Sequence, residues 1–299
     1  MKYLKILPAG EDIKKSMFEI ITTSIKQIRT GNHFLAVFIV LGILVIPVTA
    51  RAEDEAVQDL AKESQNPIST LISVPFENNT TFNNGTEDAI VNILNIKPVV
   101  PLSIGENWNL INRLIVPVIY QEERFPGEGD VFGLGDITYQ GFLSPAKPGK
   151  LIWGIGPQLQ MPTGMDRLTS DQWSLGPAAV GLMMPGNWVF GLLVSNVWDI
   201  GGYNNAPDVN FFSTQYFINY NMKGGWYLTT APIITANWEA DSDNTWTVPF
   251  GGGVGRVFRI GKQPVNLKVA GYYSVERTDN ASDWNLQAQL TFLFPNEQR

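Results

Sequence analysis

The chain contains no cysteine and one histidine, His33. Without thiols it has no disulfides and no thiolate metal sites. His33 precedes the expected mature start after Ala52, so the mature chain also lacks imidazole. That excludes Ser-His and Cys-His nucleophile systems and histidine metal ligation. Charged residues make up only 16% of the 299 residues, against the ~25% usual for soluble domains. The balance is acidic, with a net charge of −7, which argues against nucleic acid as a partner because phosphate contacts need basic patches. A long apolar run is missing as well. The one candidate, 34–46, is shorter than the ~20 residues a spanning helix needs, and a mean hydropathy of −0.02 does not fit a helical membrane bundle.

That short run has the marks of an export signal. Lys14, Lys15, Lys26 and Arg29 precede it, and Pro47 and the small-x-small triplet Ala50-Arg51-Ala52 follow it. Residues 1–52 therefore read as a signal peptide cleaved after Ala52. The basic region is long, so Met17 is an alternative start. An uncleaved inner-membrane anchor is the competing reading, disfavoured by the length of the run. Cleavage removes more basic than acidic residues and leaves a still more acidic chain. Residues 53–67 are polar and are expected in the periplasm, as a short helix or a loose tail, either mobile or tucked into the barrel mouth.

From residue 68 to 299 the texture is uniform. Segments of about ten residues, rich in β-branched and aromatic types, alternate with Gly/Pro/Asn/Asp clusters. Twelve are expected, near 68–76, 88–100, 108–120, 135–144, 151–162, 173–184, 188–199, 209–221, 226–238, 245–258, 265–276 and 284–294. Their connections alternate in length. Those at 103–107, 145–150, 185–187, 223–225 and 261–264 are tight; those at 78–86, 121–134, 163–172, 201–208, 239–244 and 277–283 are mostly longer. Charge sorts with length. The longer loops carry acids such as Glu122, Glu123, Asp130, Asp241, Asp243, Asp279 and Asp283, and the tight turns carry Lys147, Lys150, Lys223 and Lys262, with Glu106 as an exception. Short periplasmic turns and longer external loops are what an up-and-down antiparallel transmembrane β-barrel requires, whereas a soluble sandwich has no reason to sort them. The fold class read from the sequence is therefore all-β, a barrel of about twelve strands. The acidic outer rim is solvated surface, or a mouth that draws cations or is bridged by divalent ions to lipopolysaccharide.

The stretch Trp188-Val-Phe-Gly-Leu-Leu-Val-Ser-Asn-Val-Trp198 sets the scale. On a strand, its two tryptophans share a face and lie ~25 Å apart along a tilted barrel axis, the height of the lipid-facing band between two aromatic girdles. Trp226 and Trp238 repeat the design, and the nine tryptophans fall largely at strand termini. Trp188, Trp198, Trp226 and Trp238 are the expected membrane-interface residues, with a packed soluble core as the competing reading. Polar residues opposite the apolar face are the pore-lining candidates: Asn109, Arg113, Gln140, Gln158, Gln160, Gln215, Asn219, Lys268, Glu276, Gln287 and Gln289. Arg113 and Lys268 are expected to pair with acids such as Glu276. Twelve strands imply a narrow or partly plugged interior. The register of 173–184, with glycine and methionine on both faces, is ambiguous.

Several motifs in one order carry a resemblance: Gly133-Leu-Gly-Asp-Ile-Thr-Tyr-Gln-Gly-Phe142, Trp153-Gly-Ile-Gly-Pro157, Trp173-Ser-Leu-Gly-Pro-Ala-Ala179, Phe217-Ile-Asn-Tyr-Asn221, Gly225-Trp-Tyr-Leu-Thr229 and Trp246-Thr-Val-Pro-Phe-Gly-Gly-Gly-Val-Gly255. Together they resemble the outer-membrane barrel family grouped with phenol meta-cleavage-pathway transporters, some members of which carry the misleading label neuromedin U. The similarity runs from about residue 65 to Pro295. It implies a bacterial outer-membrane barrel passing small, hydrophobic or aromatic compounds, and it names no substrate. One departure is the tail: Phe294 is followed by Pro295-Asn-Glu-Gln-Arg299, where many barrels end on the aromatic residue read by the barrel-assembly machinery.

Other motifs are discounted. Gly251-Gly-Gly-Val-Gly255 leads into strand-like residues, where a phosphate loop would open a helix. Asp241-Ser-Asp243 begins a calcium-loop spacing, but the glycine and glutamate that complete it are absent. Asn79, Asn84 and Asn280 fit the glycosylation pattern and are read as turn asparagines. The functional expectation is a passive channel in the outer membrane, reached by export through the periplasm, without cofactor or metal. Loop 121–134 is a candidate lid. Its partners would be outer-membrane lipid, lipopolysaccharide, the barrel-assembly machinery and a small solute. A non-conducting structural or adhesive barrel is the alternative, and an enzyme is disfavoured by the missing base.

Overall fold

A computed structural model describes residues 54–203 and 206–294; the expected signal peptide and the tail after Phe294 lie outside the described residues. Fifteen strand segments form one antiparallel sheet. They are β1 (Ile72–Asn84), β2 (Ala89–Ile96), β3 (Val99–Ile104), β4 (Trp108–Gln121), β5 (Val131–Leu134), β6 (Ile137–Pro145), β7 (Ile152–Met161), β8 (Gln172–Met183), β9 (Trp188–Gly202), β10 (Asn210–Asn221), β11 (Trp226–Thr230), β12 (Ile233–Asn237), β13 (Trp246–Ile260), β14 (Gln263–Glu276) and β15 (Trp284–Phe294). Three pairs of segments are single staves with a break. β2 and β3 both border β4, as do β5 and β6, while β11 and β12 both border β10. Two of the breaks fall at Lys97-Pro98 and Ala231-Pro232, where proline has no N–H for the ladder. The wall therefore has twelve staves, as the sequence led us to expect, and it closes: β15 pairs β1 from Ile72 opposite Phe294 to Phe82 opposite Trp284.

Closure fixes the two faces. On β9, Leu192 and Trp198 are 48% and 46% exposed while Val189 and Val197 are buried, so the tryptophan-bearing face points out. Leu102, Ile155, Leu228 and Phe250 stand exposed on the same outer surface. So much apolar area facing water would be anomalous for a soluble monomer; facing acyl chains, it is the wall of an outer-membrane barrel. Aromatic rings cluster at both rims. Trp188 lies 4.8 Å from Tyr220 and Trp108 6.1 Å from Trp153 at one, and Trp238 lies 5.4 Å from Trp246 and Tyr273 5.1 Å from Trp284 at the other. The ambiguous register of β8 is settled by its neighbour: Ala178 opposes Ser195 and Val180 opposes Leu193, so both face inward.

Two boundaries differ from expectation. β1 begins at Ile72 and runs to Asn84, so the expected loop at 78–86 is mostly wall, and the outer connection shrinks to 85–88. Asn79 is accordingly no turn residue: it faces the lumen and accepts from Gln287 at 3.0 Å. Asn280 does adopt the left-handed backbone, at φ 58°. Likewise β5 pairs with β4, from Val118 opposite Leu134 to Gln121 opposite Val131, so part of the expected loop 121–134 extends the wall.

Helix α1 (Asp54–Ser64) precedes the wall. Its Leu60 and Ala61 pack with Leu71, Tyr227, Val257 and Leu293. Ile68, beyond the helix, packs with inward residues of the opposite wall, among them Ile111, Phe142, Leu182, Val189 and Phe217. The end of the lumen where the first strand begins is thus filled by apolar side chains, which an all-amide interior did not anticipate.

Candidate functional site: the barrel lumen

Strand pairing puts the pore-lining candidates named from the sequence on the inward side of the wall, except Glu276, which lies past a register shift at the exposed end of β14. Arg113 opposes Gln140, Gln140 opposes Gln158 and Gln160 opposes Ser174. Asn109 sits lower, opposite Ser103 and Ser144. On the facing wall Lys268 opposes Gln289, and Gln287 opposes Ala270; Gln215 and Asn219 face in from β10. These groups bond to one another. Arg113 donates from Nη1 to Gln140 Oε1 at 3.1 Å, and Gln140 donates to Gln158 Oε1 at 2.6 Å. Gln160, one step nearer the outer rim, points to Asp136 at 3.5 Å. A polar column therefore runs from the rim toward the middle of the barrel across three staves.

The column ends at a cavity of about 150 Å³. Of the candidates, Arg113, Gln215, Asn219, Lys268 and Gln289 line it; Asn109, Gln140, Gln158, Gln160, Glu276 and Gln287 do not. Its floor is Ser64, Gln65, Asn66 and Pro67, the connection from α1 to the wall. That floor is pinned by side chains. Gln65 and Asn221 exchange amide hydrogen bonds at 2.8 and 3.2 Å, and Asn266 donates to Ser64 Oγ at 3.1 Å while accepting from Tyr227 at 2.7 Å.

The charge pairing expected with Glu276 is not the one found. Glu276 is exposed at the end of β14. The partner is Glu77, 7% exposed on β1. Its carboxylate accepts from Lys97 Nζ at 2.5 Å and lies 4.0 Å from Lys268 Nζ, and Asn79 donates to it at 3.1 Å. A charge in a wall segment is tolerated only on the lumen side, and Glu77 is the inward neighbour of outward Phe76. Reading 78–86 as a loop hid this position. Lys97 carried a similar signal, being a lysine inside an apolar strand, and was also missed.

At the outer rim, Asp136 lies in the break between β5 and β6, beyond the last wall pair Ile137–Met161. It accepts from Ser170 N at 2.7 Å, Ser170 Oγ at 2.6 Å and Gly164 N at 3.0 Å, pinning the loop 162–171. Burial pushes its carboxyl up, but these donors outweigh burial and hold it below its ordinary value. The loop 122–130 is tied within itself: Asp130 accepts from Glu123 N at 3.0 Å and Glu123 accepts from Gly127 N at 2.6 Å. Among the described residues no cluster of His, Cys, Asp and Glu could hold a metal ion.

Comparison with known proteins follows the same outline. Residues 73–199 match the family model described as "Putative MetA-pathway of phenol degradation", a span shorter than the resemblance read from motifs. An outer-membrane channel from Pseudomonas putida F1 superposes with a TM-score of 0.57 at 16% identity, covering 75% of this chain and 94% of that one. The NanC porin gives 0.46 at 8% identity, over 75% of this chain and 100% of its own. Outer membrane phospholipase A from Escherichia coli gives 0.42 at 14% identity, over 76% of this chain and 99% of its own. No curated protein matches the sequence. The first of these superpositions identifies the fold as an outer-membrane barrel, and the wall chemistry described above agrees.

Proposed function

We propose that the chain is a passive channel for small solutes, a reading supported by the match of residues 73–199 to the phenol-degradation family model and by the barrel fold. The observation that carries this reading is the polar column Gln160, Gln158, Gln140 and Arg113. It leads from the outer rim into a cavity bounded by Lys268 and Gln289. Amide walls exchange hydrogen bonds with a solute and with water at little net cost, so movement down a gradient needs neither cofactor nor energy coupling. Outer-membrane lipid and lipopolysaccharide would surround the tryptophan rims, and the barrel-assembly machinery would insert the wall. Catalysis finds no support: the sequence has no histidine after His33, and the acid pairs Glu122/Glu123 and Asp241/Asp243 sit in rim loops.

One observation favours the alternative of a non-conducting structural barrel: α1 and Ile68 fill the lower lumen with apolar contacts. Planar-bilayer conductance and liposome swelling with the mature chain separate the two. Discrete conductance steps with solute uptake support the channel. A folded, inserted protein with neither supports the structural role.

A further inference from the structure

We propose that the luminal cavity is a binding site for a small organic anion, a one-ring carboxylate. Four charged residues line it: Lys97, Lys268 and Arg113 are cationic, and Glu77 alone is anionic. Glu77 is shared by the two lysines, which leaves the chamber two positive charges in excess. Charge removed from bulk water is costly until a counter-charge meets it. Arg113 spends Nη1 on a neutral amide, Gln140, and its buried Nε has no hydrogen-bond partner. An anion in the cavity would supply what the guanidinium and Lys268 lack.

Size and the remaining wall narrow the class. A volume of about 150 Å³ is that of an engineered protein cavity that takes up benzene. Phe217, Val99 and Ala231 give the chamber apolar wall as well as charge, so a flat ring has apolar surface to contact while its carboxylate meets the cations. A bare inorganic anion would use the charges and leave this wall without contact. The inference rests on the channel reading for the route by which a ligand arrives, not for the site itself.

The test uses the full mature chain in detergent, with folding verified by the mobility of unheated samples on a gel. Sodium benzoate is titrated calorimetrically beside benzyl alcohol, the same ring without the charge, and sodium sulfate. Benzoate is expected to bind at least about tenfold more tightly than either, and Lys268→Met to weaken it by about tenfold or more. Because Lys268→Met disturbs the pairing of Glu77, Arg113→Gln serves as the second variant. Arg113 forms no ion pair with Glu77 among the described residues, and its replacement should weaken benzoate binding to a similar degree. Equal affinity for benzoate and benzyl alcohol, sulfate binding as tightly as benzoate, no heat with folded protein, or unchanged binding in both variants would each overturn the proposal. Conductance without benzoate binding removes the site and leaves the channel; benzoate binding without conductance removes the channel and leaves the site.

Discussion

Lys268 Nζ lies 4.0 Å from Glu77 Oε2, across β15 from β14 to β1 and on the lumen side of both. With Lys97 on the other carboxylate oxygen, Glu77 is the hub that ties three staves on either side of the closing seam. The side chains are 9–16% exposed, so the pairing is only weakly screened. Removing one partner of such a pair leaves uncompensated charge, at a cost of about 3–5 kcal/mol. Glu77→Gln is therefore expected to lower stability by about 3 kcal/mol, read as an earlier urea midpoint for the barrel refolded in lipid vesicles. An unchanged midpoint would show that the lysines are solvated without it.

The lipid face makes its own prediction. Leu192 sits between the rim tryptophans Trp188 and Trp198 and is 48% exposed on the outer surface. An arginine near the bilayer midplane costs about 2–4 kcal/mol, and Leu192→Arg should destabilise the barrel by that much in vesicles. The inward Ser213 on β10, opposite Ser195 and only half-buried, should tolerate glutamine with a change below about 1 kcal/mol. Equal costs at the two positions would contradict the assignment of faces.

The barrel and its faces were legible because side chains alternate with period two against two different solvents. Leu286, Ala288, Leu290 and Phe292 alternate with Gln287, Gln289 and Thr291, and pairing with β1 confirms that alternation residue by residue. Residues 78–84 were not legible, because Asn-Asn-Thr-Thr-Phe-Asn-Asn has the composition of a loop. Its polar groups are satisfied by the wall itself. Asn79 bonds Gln287 and Asn285 on the lumen side, while Asn78, Thr80 and Asn92 bond one another on the other face. Composition cannot report such pairings, since the partners lie on other strands. The same misreading concealed Glu77, and with it the charge centre of the cavity. The apolar filling of the lower lumen escaped for a related reason. Val189 and Ile111 already fall on the inward faces of their strands, but nothing in the sequence shows that Ile68 meets them there until the chain closes.

Asp136 gives a pH dependence. Its carboxyl is held below its ordinary value in the folded chain, so the clamp on loop 162–171 is fully present above the ordinary carboxylate range. It is lost as pH falls through the lowered folded value. Asp136→Asn removes the charge at any pH and weakens the hydrogen bonds from Ser170 and Gly164. Trypsin cleavage after the exposed Arg167 at neutral pH should then quicken by about tenfold, the equivalent of one charge-assisted hydrogen bond. In the unmutated chain, hydrogen exchange of the Ser170 and Gly164 amides, corrected for intrinsic rates, should lose protection on acidification and keep it from neutral to mildly basic pH. Protection that falls as pH rises would reverse the sign and exclude the carboxylate as its source.

On the proposed channel reading, the seating of α1 sets how much solute passes. Ala61 is 1% exposed, against Leu71, Tyr227, Val257 and Leu293. A carboxylate there would meet no partner, and burying an unpaired charge costs several kcal/mol. A few hydrogen bonds hold the next residues: Gln65 with Asn221 and Ser64 with Asn266, worth about 1 kcal/mol apiece. The closed wall does not depend on the helix, since its pairing runs unbroken from β15 into β1. Ala61→Asp should therefore unseat the helix and leave the barrel intact: the folded gel mobility is retained while single-channel conductance and the rate of liposome swelling rise several-fold. Asn221→Ala, which removes only the amide pair, should raise both by less. If Ala61→Asp abolishes folding, the helix belongs to the barrel core. If it folds and conducts as before, the solute path avoids the mouth that α1 occupies.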